Sequence, residues 1–348
     1  MRAISAADAI SLAVDRTREI LFRPFNWATY LKLGLVAILT EGISGNLNSS
    51  SHGGKVPEHG SIGSPHLSLP PEWIAAIVAG TIVAIVLGLV VFYLITRLRF
   101  AFFHCLIHNT REIRPGWRLY RTQATRFFWM NVVVALCFLL LMALLALPFV
   151  AGFWRLFHNI PPGGHPDVLT LIALILPLIP IIFLLVLAGM LSDIVLRDWM
   201  LPHYALDGAT AGEAWAFVWA SFKAEKKQFL VYVVLRVIMP ILAVVALFMI
   251  LIIPGLVIVG SLGMLEYGVH SAFAGTSGAS AFFGILVQVF FGVLAFGFVL
   301  LLSICLGGPV STGLREYALV FYGGRYPALG NVLYPPAPIA PAVPPQTA

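Results

Sequence analysis

The sequence predicts an all-α fold: a polytopic transmembrane bundle of six spans, with amphipathic helices at the membrane interface. Apolar residues make up 60% of the 348 residues and charged residues only 10%, whereas soluble domains are about half apolar and a quarter charged. Several apolar runs are long enough to cross a hydrocarbon core about 30 Å thick. Basic residues are concentrated between alternate runs, as expected when they stay on one side of a membrane.

The basic segment 97–126 sets the predicted orientation. It contains seven arginines and a single acidic residue, Glu112. Because lysine and arginine resist translocation, this segment is predicted to be cytoplasmic. Residues 1–26 are charged and lack the apolar core of a signal peptide, so we expect them to stay on the protein. The expected location is the bacterial inner membrane, with several spans and with both termini in the cytoplasm.

The apolar runs define the elements in chain order. An amphipathic helix at 5–22 precedes the first span, and an external loop rich in Gly, Ser and His follows it at 44–72. The six spans are predicted at about 25–43, 73–96, 128–151, 168–196, 229–253 and 281–306.

The last third of the chain needs a further assumption. The apolar run 229–265 is too long for one span, so we expect Pro254 and Gly255 to break it. Residues 256–273 would then form an outer-leaflet or re-entrant helix. Residues 1–330 thus form the transmembrane domain, and 331–348 form a disordered, proline-rich cytoplasmic tail.

Two cytoplasmic segments, 97–127 and 210–228, combine tryptophans with basic residues at helical spacing. Thr210, with Glu213 three residues later, has the form of a capping box at the start of a helix. Aromatic rings favour the membrane interface, and each basic side chain near an anionic surface contributes about 1 kcal/mol. We therefore predict that ten residues contact anionic lipid or a partner protein: Arg99, Arg118, Arg121, Arg126, Trp117, Trp215, Trp219, Lys223, Lys226 and Lys227.

Three inward-running spans end in a Leu-Arg pair, at Arg99, Arg197 and Arg315. Trp117 and Trp215 each lie 18 residues after the first two of these arginines. The pattern indicates a unit of interfacial helix, outward span, external loop and inward span that is used three times. The alternative is chance, because Leu-Arg is common where a span meets a basic segment.

Three parts of the chain resemble an uncharacterised family of bacterial and archaeal polytopic membrane proteins. These parts are RTREILFRPF at 16–25 with Trp27 and YLKLG at 30–34, LRDWMLPHY at 196–204 with FLVYVVLR at 229–236, and REYALVFY at 315–322 with RYP at 325–327. The resemblance extends over the whole chain and implies the fold and the membrane location. The family has no established activity, so the resemblance implies none.

Ionisable residues inside spans are the default candidates for function. A polar site within the membrane is therefore considered at Asp193, Glu266 and His270. For Glu266 and His270 the alternative is a position at the outer interface. Asp193 lies one helical turn before Arg197, so it is also placed for an ion pair along one helix.

Other charged and metal-binding residue types receive simpler interpretations. Lys32 and Arg236 lie near the predicted inner surface and are expected to extend their charges towards water. His104 and His108 have the i,i+4 spacing of metal ligands, but no accompanying base, and they favour an interface role. No metal site or cofactor is predicted.

The sequence contains no Walker loop, no nucleophile elbow and no dinucleotide-binding fingerprint, so we predict that the protein is not an enzyme. The net charge of +6 is explained by topology, and no nucleic-acid partner is expected. The leading hypothesis is a scaffold or accessory protein that contacts anionic lipid, or a membrane protein partner, at the inner leaflet. The alternative is a transporter or lipid-handling permease, which repeated units and proline-containing spans favour.

Overall fold

The computed structural model describes residues 4–42, 71–158, 168–273 and 279–335, which are helical apart from short connections. The helices are α1 (Asp8–Phe22), α2 (Trp27–Ala37), α3 (Pro71–Ile107), α4 (Ile113–Leu119), α5 (Arg121–His158), α6 (Val168–Ile175), α7 (Leu178–Ile194), α8 (Leu201–Leu206), α9 (Ala211–Ala224), α10 (Lys226–Phe273), α11 (Ala279–Gly323) and α12 (Pro327–Leu333). Two π-helical turns, Ile38–Gly42 and Val195–Met200, follow α2 and α7. The all-α prediction is confirmed. Most of the predicted loop 44–72 lies outside the described residues.

Among the residues that the structure describes, five helical segments are long and apolar enough to cross a membrane. They are Ala75–Ile107, Arg121–Leu156, Val168–Leu206, Lys226–Ile253 and Phe282–Gly323. Almost none of the residues in their apolar windows is buried against protein, which indicates a multi-pass membrane protein. The first predicted span, 25–43, is not confirmed, because α2 has 11 residues and its π-helical turn 5, short of the roughly 20 that a span needs.

The expected break at Pro254 and Gly255 is wrong. The helix α10 continues through both residues and extends over 48 residues, about 70 Å at 1.5 Å per residue. A proline removes one backbone hydrogen bond and bends a helix without necessarily ending it. The final helices also extend further than predicted, since α11 ends at Gly323 rather than near 306 and α12 reaches three residues into the predicted tail.

The chain divides into two compact units. The terminal unit contains Met1–Gly45, His104–Ile113 and Ala224–Ala348, and the central unit contains Asn46–Phe103 and Arg114–Lys223. Each unit has its own buried core, and the two are described separately below.

The core of the terminal unit lies where α1, α2 and the start of α10 meet the end of α11. The Tyr232 ring stacks between Tyr317 and Phe321, with ring centroids 5.0 and 4.3 Å away. Earlier on α11, a Cβ added at Gly308 would lie 2.7 Å from the Cα of Gly34. Only glycine at this point lets the backbones of α2 and α11 approach so closely.

The core of the central unit is aromatic. The Phe127 ring packs edge-to-face on Phe100 and on Tyr204, with centroids 5.5 and 5.3 Å apart. The buried stretch of α3 begins at Thr96, whereas residues earlier in that helix, such as Leu87, are exposed. The helices therefore pack at their basic ends and expose apolar side chains along the lengths that suit lipid.

Candidate functional site

The helix α9 presents an aromatic face in the central unit. Ala214 and Val218 are buried, whereas Trp215, Phe217 and Trp219 are each about half exposed. The Trp215 and Trp219 rings are stacked with centroids 6.0 Å apart. The outward face of this helix therefore carries large aromatic rings, where an amphipathic helix of a soluble protein has mainly polar and charged side chains.

Charge lies directly beside these rings. Lys223 Nζ lies 5.3 Å from the centroid of the Trp219 ring, a cation–π distance. Lys226 and Lys227 follow in sequence, and both are exposed, although they belong to the terminal unit.

The start of α9 has one of the two hydrogen bonds of the predicted capping box. The backbone N–H of Thr210 donates to Glu213 Oε2 at 2.8 Å. This hydrogen bond lowers the pKa of the Glu213 carboxyl from its ordinary value, because it stabilises the charged form. Phe217 also stacks on the buried ring of His203, with centroids 5.3 Å apart, and this contact holds α9 against the unit.

Arginines at the junction of α4 and α5 form the basic part of the predicted surface. Arg118, Arg121 and Arg126 are exposed. Trp117 is half-buried because Arg97 covers it: Arg97 Nη2 donates to the Trp117 carbonyl at 2.8 Å, and the guanidinium lies 4.3 Å from the centroid of the ring. This pairing connects α3 to α4 and covers part of the Trp117 ring.

Arg99 is a correction to the predicted set. Its side chain is buried, at 6% exposure, in the packed stretch of α3 that also buries Phe100 and Phe103. The sequence places Arg99 in a basic segment, but the helix turns it into the core, so it does not belong to the lipid-contact surface.

The terminal unit contains a buried ion pair that sequence reasoning missed. Arg16 Nε donates to Glu316 Oε2 at 2.9 Å. The same guanidinium donates to the carbonyl oxygens of Leu106 at 3.0 Å and Leu333 at 3.3 Å. Arg16 therefore joins α1, the end of α3, α11 and α12.

A second buried pair corrects the interpretation of Arg236. Arg236 Nη2 donates to Glu41 Oε2 at 3.0 Å, and both side chains are only 5% exposed. The prediction that Arg236 extends towards water is wrong, because Glu41 on the π-helical turn after α2 supplies an anion inside the protein. Lys32, in contrast, is exposed.

The three residues considered for an intramembrane polar site do not share one environment. Asp193 pairs with Arg197 one turn later, at 3.3 Å, which confirms the predicted local ion pair. His270 is exposed, with Nδ1 at 3.2 Å from Gln288 Nε2. The side chain of Glu266 lies outside the described part of the structure.

The rings of His104 and His108 lie 4.6 Å apart between centroids. Within the described residues, no group of three His, Cys, Asp or Glu side chains is arranged to hold a metal ion.

Comparison with known proteins finds a family model that matches most of the chain. A model described as "Family of unknown function (DUF7544)" matches residues 4–332. Neither the curated proteins nor the solved structures contain a match.

Proposed function

The chain belongs to this family of unknown function, DUF7544, and we propose that it is a non-enzymatic scaffold or accessory protein that binds anionic lipid at the cytoplasmic leaflet of the bacterial inner membrane. The observation that carries the proposal is the outward face of α9, where Trp215 and Trp219 are stacked and exposed beside Lys223. Soluble proteins rarely expose such large rings together, and a membrane interface accepts both the rings and the neighbouring cation.

Charge gives the proposed surface its preference for anionic lipid. The exposed arginines Arg118, Arg121 and Arg126 belong to the same unit as α9. At about 1 kcal/mol for each basic side chain, the three contribute up to about 3 kcal/mol to lipid binding, an upper bound of roughly 10²-fold in affinity.

Contacts between the ends of the chain support a topology with both termini in the cytoplasm. Arg325 Nη1 donates to the carbonyl oxygen of Ile4 at 3.2 Å, and this contact supports a topology in which both of these residues lie on one side of the membrane. An even number of crossings must then separate them, and five candidate spans are described. We propose that the region of α2 supplies a sixth crossing, as in the six-span prediction.

Burial of the repeated arginines supports the threefold repeat. Arg99, Arg197 and Arg315, each preceded by leucine, are all buried. Asp198 and Glu316, which follow the second and third arginines, are buried as well. A chance Leu-Arg pair at a membrane boundary would have no reason to place its charge inside the protein.

The test uses the full-length protein in vesicles of phosphatidylcholine mixed with phosphatidylglycerol, and counts the lipids that stay bound after mild extraction by native mass spectrometry. The parent protein is expected to retain phosphatidylglycerol in excess of its share of the vesicle. Replacing Arg118, Arg121 and Arg126 with glutamine should remove most of this excess. Arg155→Gln is the matched control, because Arg155 is exposed at the opposite end of α5. Equal enrichment in the parent and in the triple variant would contradict the proposal.

The buried pair of Glu41 and Arg236 favours the alternative, a transporter or lipid-handling permease, because ionisable groups within spans often serve transport. Glu41→Gln distinguishes the two functions. If the protein is a scaffold, Glu41→Gln should lower its stability and leave its retention of phosphatidylglycerol unchanged. If the protein is a permease, the parent in proteoliposomes should move phospholipid between the two leaflets, and Glu41→Gln should lose this activity. The movement is measured with fluorescent phospholipid and dithionite.

A further inference from the structure

A second aromatic surface lies in the terminal unit, at the turn between α1 and α2. Phe22, Phe25 and Trp27 are exposed, at 43%, 47% and 62%. Phe25 lies 6.2 Å from Phe22 and 5.1 Å from Trp27 between ring centroids, so the three rings form one cluster. We call this cluster the aromatic wedge.

Tyr30 packs against all three rings of the wedge. Its ring is buried, and its centroid lies 5.6, 5.7 and 6.1 Å from the centroids of Phe22, Phe25 and Trp27. The Tyr30 hydroxyl donates to the backbone carbonyl of Cys305 on α11. Tyr30 therefore links the exposed rings to α11, which contains a candidate span.

Arg111 holds the backbone that carries the wedge. Its guanidinium donates to the carbonyl oxygens of Ile20 at 3.1 Å and Pro24 at 2.7 Å, and also to that of Arg23. Carbonyls at the end of a helix lack partners within the helix, and a planar fork of donors satisfies several of them together. Arg111 therefore fixes the direction in which the chain leaves α1.

The position of the wedge along α11 indicates what covers it. Residues just before Cys305, such as Leu300 and Leu301, are exposed and apolar, whereas Thr312 and the residues from Arg315 onward are buried in the protein. If the exposed apolar length of α11 lies in hydrocarbon, its end near Cys305 lies at the level of the lipid head groups. Exposed Arg18, Arg23 and Lys32 lie close by in sequence, and suit that level.

We propose that the aromatic wedge inserts into the boundary between lipid head groups and acyl chains, and that Arg111 is the residue that positions it there. The partner is the bilayer in which the spans lie, because the wedge continues the exposed apolar surface of α11. Tryptophan and phenylalanine are the rings that favour this layer, at a depth of about 5–10 Å. The inference does not depend on the α9 surface, which belongs to the other unit.

The first test measures the depth of Trp27 in the full-length protein in nanodiscs. The eight tryptophans are replaced biosynthetically with a fluorinated analogue, and the fluorine NMR signal of Trp27 is assigned by its loss in Trp27→Phe. Strongest broadening by a nitroxide attached near the lipid head group is the expected result. Strongest broadening by a water-soluble chelate, or by a nitroxide at the chain end, would overturn the proposal. Protection from all three agents would also overturn it, because protein rather than lipid would then cover the ring.

The second test asks whether Arg111 sets this depth. In Arg111→Gln, the ratio of broadening by the head-group nitroxide to broadening by the soluble chelate should fall at least about threefold, since the wedge loses its insertion of several ångströms. Arg114→Gln removes the same charge from an exposed side chain three residues away and should leave the ratio unchanged.

Arg111→Lys separates charge from geometry. Lysine keeps the charge but cannot present a rigid fork to three carbonyls, so the ratio should also fall. The other seven signals report whether each variant is folded, and if Arg111→Gln does not fold, the lysine variant decides. A parent-like ratio in Arg111→Lys would overturn the positioning role.

Discussion

Replacing Arg16 with glutamine should destabilise the terminal unit more than replacing its partner Glu316. The Arg16 side chain is 18% exposed, whereas that of Glu316 is 0% exposed. Arg16→Gln leaves a fully buried carboxylate without this partner, and such losses cost about 3–5 kcal/mol. Glu316→Gln removes the buried charge, and the amide oxygen still accepts from Arg16, so this change should cost about 1–2 kcal/mol.

The remaining contacts of Arg16 explain the asymmetry. In Glu316→Gln, the guanidinium keeps its hydrogen bonds to the carbonyls of Leu106 and Leu333 and its partial contact with solvent. In Arg16→Gln, all three hydrogen bonds of the guanidinium are lost together. The difference between the two single variants should therefore be about 2 kcal/mol.

The assay is reversible unfolding of the full-length protein in mixed micelles of a mild detergent and sodium dodecyl sulfate, followed by circular dichroism. The double variant should be more stable than the sum of the single effects predicts, because the two side chains interact directly. Arg18→Gln is the control: Arg18 is exposed on the same helix, and its loss should cost less than about 0.5 kcal/mol. Equal costs for the two single variants, or additive costs in the double variant, would refute the reasoning.

Three further predictions follow from the described contacts. Gly308→Ala should cost about 1–3 kcal/mol in the same assay, because the new Cβ would meet the backbone of α2, whereas Gly292→Ala on the same helix has open space and should cost nothing measurable. Arg236→Gln should destabilise the protein by about 3–5 kcal/mol, and Lys32→Gln, at an exposed site, should change stability little; similar values for both would contradict the buried ion pair. Because hydrogen bonding lowers the pKa of Glu213, its contribution to the first turn of α9 is present above the ordinary titration range of glutamate and is lost as the pH falls through its lowered pKa. The protection of the amide hydrogens in that turn, measured relative to the intrinsic exchange rate at each pH, should therefore fall in acid, and a fall that persists in Glu213→Gln would count against the capping role.

Local patterns were enough to predict α9. The spacing of its aromatic residues and the Thr210–Glu213 capping box are properties of a single helix, and the structure confirms the hydrogen bond between the two capping residues. The ion pair of Asp193 and Arg197 was predictable for the same reason, since both residues lie on one face one turn apart.

Helix ends were less predictable. Pro254 looks like a break in the sequence, but a long helix accepts the loss of one hydrogen bond, and α10 continues through it. The end of α11 near Gly323 was missed because hydropathy detects only the apolar part of a helix. The residues beyond that part are polar enough to end a predicted span, yet they form the packed core of the terminal unit.

The wedge shows how much of a candidate site a sequence can indicate. Trp27 and Tyr30 are recognisable as interface residues from their type and position. Their opposite roles, one exposed and one buried beneath it, depend on the contact of Tyr30 with Cys305, a residue 275 positions away. Arg111 gave no signal in the sequence, because its partners are backbone carbonyls.

The sequence by itself determined the family, the all-α class, the apolar lengths suited to a membrane and the concentration of basic residues in a few segments. These are local or compositional properties, set by run length and by 3.6-residue periodicity. Only the tertiary structure decided which charged side chains are exposed and which are buried. Arg16 and Glu316 are 300 positions apart, and Arg236 and Glu41 are 195 apart. Helix packing brings the members of each pair together, so that Glu316, Glu41 and Arg236 are buried and Arg16 keeps only partial contact with solvent. A charge is costly to bury unless it is paired with an opposite charge. When the partner is distant in sequence, only the packing of the helices brings the two side chains together.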